Sequence, residues 1–184
     1  MQLQLQPLSI EAFAPYGEVI GIPSDGGPGT DRATRANPAN PANRETSPPV
    51  RAINGGTSQR WDMPGGLHLH AEGGEPCVAL FRAQAQALTG PWRLLERHRL
   101  GTQTFIPLGG ARCVVLVARG ESAPEAATLA AFAVDGTQGF TLHADTWHHG
   151  LIALDAGDFV VIERRAAEVD CEFAELAAPV TLRY

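Results

Sequence analysis

The sequence predicts an all-β protein built around a closed or two-sheet barrel, and three observations carry that prediction. Short apolar or alternating runs separated by turn residues recur along the 184 residues. Glycine (20) and proline (14) are abundant enough to punctuate those runs closely. Helical periodicity is scarce, so only a few short helices are expected. About a dozen short strands in one domain favour a closed architecture, because closure removes exposed sheet edges.

In chain order, Leu3 and Leu5 alternate with glutamine in a first strand. Ser9 is placed to cap a short helix over residues 10–14, which Pro15 and Gly17 stop. Residues 18–22 read as a second strand. From Pro23 to Pro49 there is no Val, Leu, Ile or aromatic residue, six prolines occur, and ANPANPAN repeats. Such a segment buries too little apolar surface to offset its ordering entropy, so 23–49 is expected to be a flexible Pro/Gly/Asn-rich insertion in a single domain spanning 1–184. Structured sequence resumes at Val50, with strands expected at 57–62, 67–71, 78–83, 93–98, 104–107 and 113–118, then at 128–134, 139–143, 151–154 and 159–163.

Composition excludes several function classes. Fourteen basic residues against twenty acidic ones give a formal charge of −6 with no Lys/Arg run, so nucleic acid is not an expected partner. The N-terminal residues MQLQLQPLSIEAF lack the charged start and apolar core of a signal peptide, and no run of eighteen apolar residues occurs. A cytoplasmic protein without a membrane partner is expected. Cys77, Cys113 and Cys171 are odd in number and far apart, which reads as reduced, structural thiols. No GxSxG elbow, Walker loop or CxxC pair is present.

What stands out is a spaced set: Gly90, Glu96, His98, Gln103 and Gly110, followed by Trp147-His148-His149. The spacing resembles the two metal-site motifs of cupin barrels, G-x5-H-x-H-x4-E-x6-G and P-x-G-x-x-H, with Glu, His, Gln and His at the ligand positions. Strand alternation turns Glu96 and His98 to one face and Arg97 outward, and a loop through Gly101 returns the chain so that Gln103 joins them. Phe105 lies two residues further on Gln103's face as a pocket wall. His143, Asp145 and Trp147 alternate with Thr146 and His148, and the motif register places His148 inside. Two imidazoles, a carboxylate and an amide suit Ni, Mn, Fe or Zn with positions left open for substrate. The alternative is an anionic substrate held without metal by His and Arg donors. His68, His70 and Glu75 repeat H-x-H-x4-E without the flanking glycines, and read as same-face histidines on an exposed strand. His149, next to His148, should pack on the opposite side.

These residues also resemble the ureidoglycolate lyase family, also called ureidoglycolate hydrolases, within the cupin superfamily. The matching stretches are PLSIEAFAPYGEVI, INGGTSQR, LLERHRLGTQTFIPLGG and LHADTWHHGLIALDAGDFVVIERR, with DCEF following at Asp170. The resemblance covers nearly everything outside 23–49. It implies a bicupin, a double-stranded β-helix or jelly-roll-like barrel, that forms a homodimer. It also implies carbon–nitrogen lyase activity in allantoin and purine catabolism, cleaving the small ureide (S)-ureidoglycolate to glyoxylate and urea, with a divalent metal (Ni, Mn or Zn) assisting. Ala144, Asp145 and Gly150 depart from the family pattern, in which a proline stands at the last of these positions.

Lysis of a carbinolamide needs a base for the hydroxyl proton, stabilisation of the developing carbonyl and a proton for the departing nitrogen. His98 or His148, or a metal they hold with Glu96 and Gln103, engages the carbinol oxygen, and Glu96 is proton acceptor or ligand. His143 is a further catalytic candidate. Gln103 and Asn54 match the ureido group, an amide offering both donor and acceptor. Arg60 or Arg97 is assigned the carboxylate, with Arg97 disfavoured by its facing. Phe105 and Trp147 are the aromatic substrate contacts. Two other readings, a non-catalytic cupin that senses or binds a small carboxylate and a cupin enzyme acting on a different small ureide or carboxylate, are separated from the first by whether glyoxylate and urea are released from ureidoglycolate.

Overall fold

The computed structural model describes residues 1–21, 50–63 and 65–184, so the insertion expected at 23–49 lies outside the described residues. The chain divides into two compact units, Met1–Ile20 with Leu67–Tyr184, and Gly21–Gly66. The strands are β1 (Gln2–Pro7), β2 (Gly17–Ile20), β3 (Val50–Ile53), β4 (Ser58–Trp61), β5 (Glu75–Ala83), β6 (Trp92–Arg97) and β7 (Gln103–Pro107). They continue as β8 (Cys113–Ala118), β9 (Ala130–Val134), β10 (Gly139–Leu142), β11 (Trp147–His148), β12 (Ile152–Ala153), β13 (Gly157–Arg165) and β14 (Glu172–Arg183). One short α-helix, α1 (Ile10–Phe13), is capped by the Ser9 hydroxyl, which accepts from the Ala12 amide.

In the larger unit, β6, β14, β1, β9 and β8 are hydrogen-bonded in that order, and β11 bonds to both β8 and β6, closing a six-stranded ring. A separate five-stranded sheet runs β2–β10–β7–β13–β5. Both faces of β8 are buried, and its side chains alternate between two cores. Val114, Leu116 and Ala118 join Leu5, Leu95, Trp147, Leu176, Val180 and Leu182, all from ring strands, so this core fills the ring. Cys113, Val115 and Val117 join Phe105, Phe140, Phe159 and Val161 from the five-stranded sheet, so this core lies between sheet and ring. Phe13 anchors α1 there, edge-on to Phe132 (5.3 Å) and Phe140 (5.9 Å), while Phe105 stacks on Phe140 at 5.2 Å. Each such fully buried aromatic contributes roughly 1.5–3 kcal/mol of transfer free energy.

Residues 113–118 form a strand as expected, and most others match within a few positions. Three differences matter. Residues 67–71 are not a strand: His68 and Thr102 are tied to each other by His68 N donating to Thr102 Oγ1 and Thr102 N to His68 O, without a ladder. β14, the longest strand, has no alternating signature, carries Pro179, and shifts register between Glu175 and Val180, where a proline is tolerated. β11 has only two residues, too short for any pattern, yet it closes the ring.

The smaller unit contributes the hairpin β3–β4, paired from Val50↔Trp61 to Ile53↔Ser58. Its turn places Asn54 and Gly55 at φ 52° and 67°. Arg60 is bonded to Asp62, with Nε to Oδ1 at 2.6 Å.

Candidate active site and metal centre

The ring closure builds the site. In the β11–β6 bridge His148 stands directly opposite Glu96, and directly opposed residues of antiparallel strands share a face. His148 also opposes Val117, which belongs to the core between ring and sheet, so Glu96 and His148 point into that space. His98, two residues beyond Glu96 and just past the end of β6, follows on the same side. One ligand atom from each of Glu96, His98 and His148 lies within 4.8 Å of the other two, and this is the one such group among the described residues. The rings of His98 and His148 are 5.4 Å apart.

Backbone carbonyls fix both imidazoles. His98 Nδ1 donates to the Asp170 carbonyl and His148 Nδ1 to the Thr146 carbonyl, at 2.9 Å for the latter. A carbonyl only accepts, so each Nδ1 carries the hydrogen, and Nε2 is the atom through which each ring, in its neutral form, offers a lone pair. Both Nε2 atoms are buried without a hydrogen-bond partner. Burial pushes the His148 pKa down to about 4, opposed by the Thr146 carbonyl and aided by His98 and His149, so this ring is neutral at pH 7. His148 Nε2 and Glu96 Oε1, 3.6 Å apart, therefore form neither an ion pair nor a hydrogen bond. On its other oxygen, Glu96 accepts from the Cys171 thiol at 3.6 Å. Burial, then the Glu96 charge, push that thiol up to about 11, so it stays protonated.

Two lone pairs and a carboxylate converge with no donor between them, and an arrangement of this kind is completed by a cation or a proton. Nδ1–H bonded to a carbonyl with Nε2 free is the orientation that metal-binding histidines adopt. The donor set thus fits a divalent metal, and Glu96, His98 and His148 form a potential metal-binding triad.

Gln103 begins β7 and is buried, at 6% exposure. Its Nε2 donates to Glu163 Oε2 at 2.8 Å, and its Oε1 has no partner. An ionised carboxylate only accepts, so Glu163 fixes which end of the amide it meets and leaves Oε1 as the unsatisfied atom. Glu163 and His98 line one cavity of about 220 Å³, together with Cys77, Thr102 and residues of the 164–170 segment.

Sequence reasoning missed Glu163 and Cys171. Glu163 continues the inward series Phe159, Val161 on β13, a period-two signal that was available. Cys171 follows the Asp170 that holds His98, and nothing in the sequence linked it to Glu96.

Other expectations fall elsewhere. Arg97 does leave the His98 face, but it does not point outward: its side chain is 1% exposed inside the ring. There it meets Glu172 (2.7 Å), Asp145 (3.0 Å) and the Glu121 carbonyl (2.7 Å), and stacks 4.3 Å over Trp147. Trp147 is consequently not a pocket residue. With His148 inward, alternation sends its neighbour into the ring core, where its indole N–H donates to the Gly120 carbonyl. Phe105 lies in the core between sheet and ring, on Gln103's face as expected, at 4% exposure. His143 is exposed in the turn before β11, and its amide donates to the Tyr16 carbonyl. Asn54 and Arg60 belong to the smaller unit. His68, His70 and Glu75 are exposed and are not among the grouped ligands. His149 packs edge-on to Trp92 at 4.9 Å, opposite His148 as expected.

The motif spacing also has a local physical basis. Gly90 and Gly110 have φ of 63° and 78°, left-handed conformations that favour glycine, and Asp145, at the glycine position of the second motif, has φ 71°.

The ureidoglycolate lyase family profile matches residues 1–183. The chain is 34% identical over 185 residues to a Burkholderia cepacia protein named ureidoglycolate lyase, covering 99% of this chain and 90% of that one. Proteins of the same name from Azotobacter vinelandii (33% identity; 92% and 89% covered) and Burkholderia mallei (35%; 88% and 82%) match similarly. With the cupin-like β fold and the imidazole–carboxylate cluster in place, the profile match and these near full-length relatives establish that the chain belongs to the ureidoglycolate lyase family.

Proposed function

We propose that this protein is a ureidoglycolate lyase, a carbon–nitrogen lyase that splits (S)-ureidoglycolate into glyoxylate and urea in the purine-degrading route through allantoin. The observation that carries the reading is the convergence of Glu96, His98 and His148 on one partly enclosed space in a chain of this family. Ureidoglycolate carries a carbinol hydroxyl, a carboxylate and a ureido group on one carbon. In the reaction the hydroxyl proton leaves, the carbon–oxygen double bond forms, and the carbon–nitrogen bond breaks with its electron pair going to nitrogen. That nitrogen then takes up a proton, so the overall reaction is proton-neutral and needs no water.

Glu96 is the proton carrier in this scheme. One of its oxygens is occupied by the Cys171 thiol, which leaves Oε1, beside His148, to accept the hydroxyl proton and return it to nitrogen. His98 and His148 present Nε2 acceptors held in place by their Nδ1 bonds. His98 and His148, with Gln103 Oε1 as a further donor and with Glu96 as ligand in place of proton carrier, would hold Ni, Mn or Zn. When bound, such an ion supplies Lewis-acid polarisation of the carbinol oxygen. Gln103, oriented by Glu163, also meets the ureido N–H groups with its unpaired oxygen.

We further propose a bicupin arrangement, supported by the two adjoining β cores. A homodimer is supported by the outward face of β5, where Val78 and Leu80 are 71% and 60% exposed on an edge strand. A cytoplasmic location is supported by three cysteines, none of them in a disulfide.

The test is to incubate purified protein with ureidoglycolate and measure glyoxylate and urea, before and after chelation. Equimolar release of both products supports the reading. Binding without release would replace it with the carboxylate-sensing alternative.

A further inference from the structure

The substrate proposed above carries a carboxylate, yet the cluster itself offers that group only acceptors and another carboxylate. The two arginines first considered for it are both engaged. Arg97 is enclosed in the ring, and Arg60 is bonded to Asp62 in the smaller unit. The cavity beside His98 has two cations of its own in its lining, Arg164 and Arg165. Arg164 is committed to main-chain carbonyls, donating to Ala71 (2.8 Å) and Glu72 (3.1 Å).

Arg165 is different. It ends β13 on the inward series Phe159, Val161, Glu163, at the point where that line passes from the core to the cavity. Phe159 and Val161 are fully buried, Glu163 is partly buried and bonded to Gln103, and Arg165 is exposed. Glu163 and Arg165 are two positions apart on the strand, with backbones about 7 Å apart, a distance that the flexible arginine stem can span. Among the described residues no carboxylate forms an ion pair with Arg165, although Glu75 stands opposite it in register. By contrast, Arg82, Arg93, Arg99 and Arg112 each hold an acidic partner.

The electrostatics call for such a cation. Glu163, Glu168 and Asp170 line the same cavity, and the chain carries a formal charge of −6, so an anionic ligand arriving there is repelled unless a positive group meets it. Asp170 is already engaged, its carboxylate accepting from the amides of Arg99 and Leu100. A guanidinium offers the planar pair of donors that matches a carboxylate.

We propose that Arg165 binds the substrate carboxylate and sets the preference of the site for anionic over neutral carbinol compounds. This rests on the ureidoglycolate reading for the identity of the substrate, and it makes Arg165 a binding residue with no part in proton transfer.

The test compares wild type, Arg165→Met and Arg165→Lys in two measurements. In steady-state glyoxylate release, Arg165→Met should raise KM at least tenfold with kcat within about threefold, and Arg165→Lys should recover part of the loss. In NMR titrations, glycolate, which keeps the carbinol and the carboxylate but has no leaving group, should bind wild type at least tenfold more tightly than Arg165→Met. Neutral glycolamide should not distinguish the two. An unchanged KM and unchanged glycolate affinity in Arg165→Met would overturn the proposal, as would equal falls in kcat and kcat/KM. If wild type releases no glyoxylate, the ureidoglycolate reading fails separately, and the glycolate titration alone decides the role of Arg165. In that case, wild-type binding lost in Arg165→Met sustains the role, and equal binding or none in both proteins ends it.

Discussion

Replacing Arg97 should cost more stability than any other single arginine change among the described residues, and the cost should depend on the shape of the replacement. The guanidinium is 1% exposed, so almost all of its interactions are made out of water. Its bonds to the Glu172 carboxylate and the Glu121 carbonyl are charge-assisted, worth roughly 1.5–3 kcal/mol each, and the stack over Trp147 adds about 1–2 kcal/mol. Two effects offset this gain. Burying the cation carries a desolvation cost, and the carboxylates left behind, Glu172 and Asp145, are 46% and 53% exposed and can rehydrate. Arg97→Ala also opens a cavity above the Trp147 ring. The net loss should be about 3–4 kcal/mol for Arg97→Ala. Arg97→Met keeps most of the volume without the buried charge, and should lose about 1–2 kcal/mol. Urea unfolding followed by tryptophan fluorescence reads the difference directly, since Trp147 lies under the substituted side chain. The two variants should also lose turnover, because Asp145 and Trp147, both held by Arg97, flank the backbone that carries His148. An Arg97→Ala protein within 1 kcal/mol of wild type, or less damaged than Arg97→Met, would refute this reasoning.

Three further outcomes are expected. His148 titrates near 6.5 when unfolded and at about 4 when folded, so the unfolded chain binds the extra proton first. Its contribution is complete above pH 6.5 and is lost as pH falls through the folded value, up to roughly 3 kcal/mol; urea unfolding across that range should show the slope in wild type and a flatter one in His148→Gln. If the proposed dimer forms through the exposed edge strand β5, wild type should sediment as a dimer and Leu80→Glu as a monomer; a monomeric wild type would end the dimer proposal, and an undisturbed dimer would place the interface elsewhere. Glu163→Ala frees the amide end of Gln103 and should lower turnover by at least tenfold; Glu163→Gln, which retains an acceptor, should recover part of it, whereas equal loss in both would detach Glu163 from orienting Gln103.

Much of the β architecture was legible because strand alternation and turn residues are local signals. The run 113–118 is apolar on both faces and could be read as a fully buried strand without any tertiary information. β14 could not, since its Glu and Ala residues and Pro179 carry no alternating pattern and the strand is held by partners far away in sequence, β1 and β6. The pairing of Glu96 with His98 followed from period two. Their meeting with His148 was readable only through motif spacing, because a two-residue strand has no pattern of its own. Alternation gave Arg97 the correct side but not its burial: in a protein with two cores, the face turned away from the site is also an interior face. By the same logic Trp147 went to packing, and Arg165, which closes the family-like stretch 142–165 but carries no ligand spacing, drew no role from the sequence.

The central claim is that Glu96, His98 and His148 act as one site on ureidoglycolate. Its most direct test is the rate of glyoxylate release by wild type, Glu96→Gln, His98→Ala and His148→Ala, each shown to be folded. Losses of at least tenfold in all three variants, with multiple substitutions costing little more than single ones, are the predicted result. Turnover near wild type in any folded member of the set would contradict it.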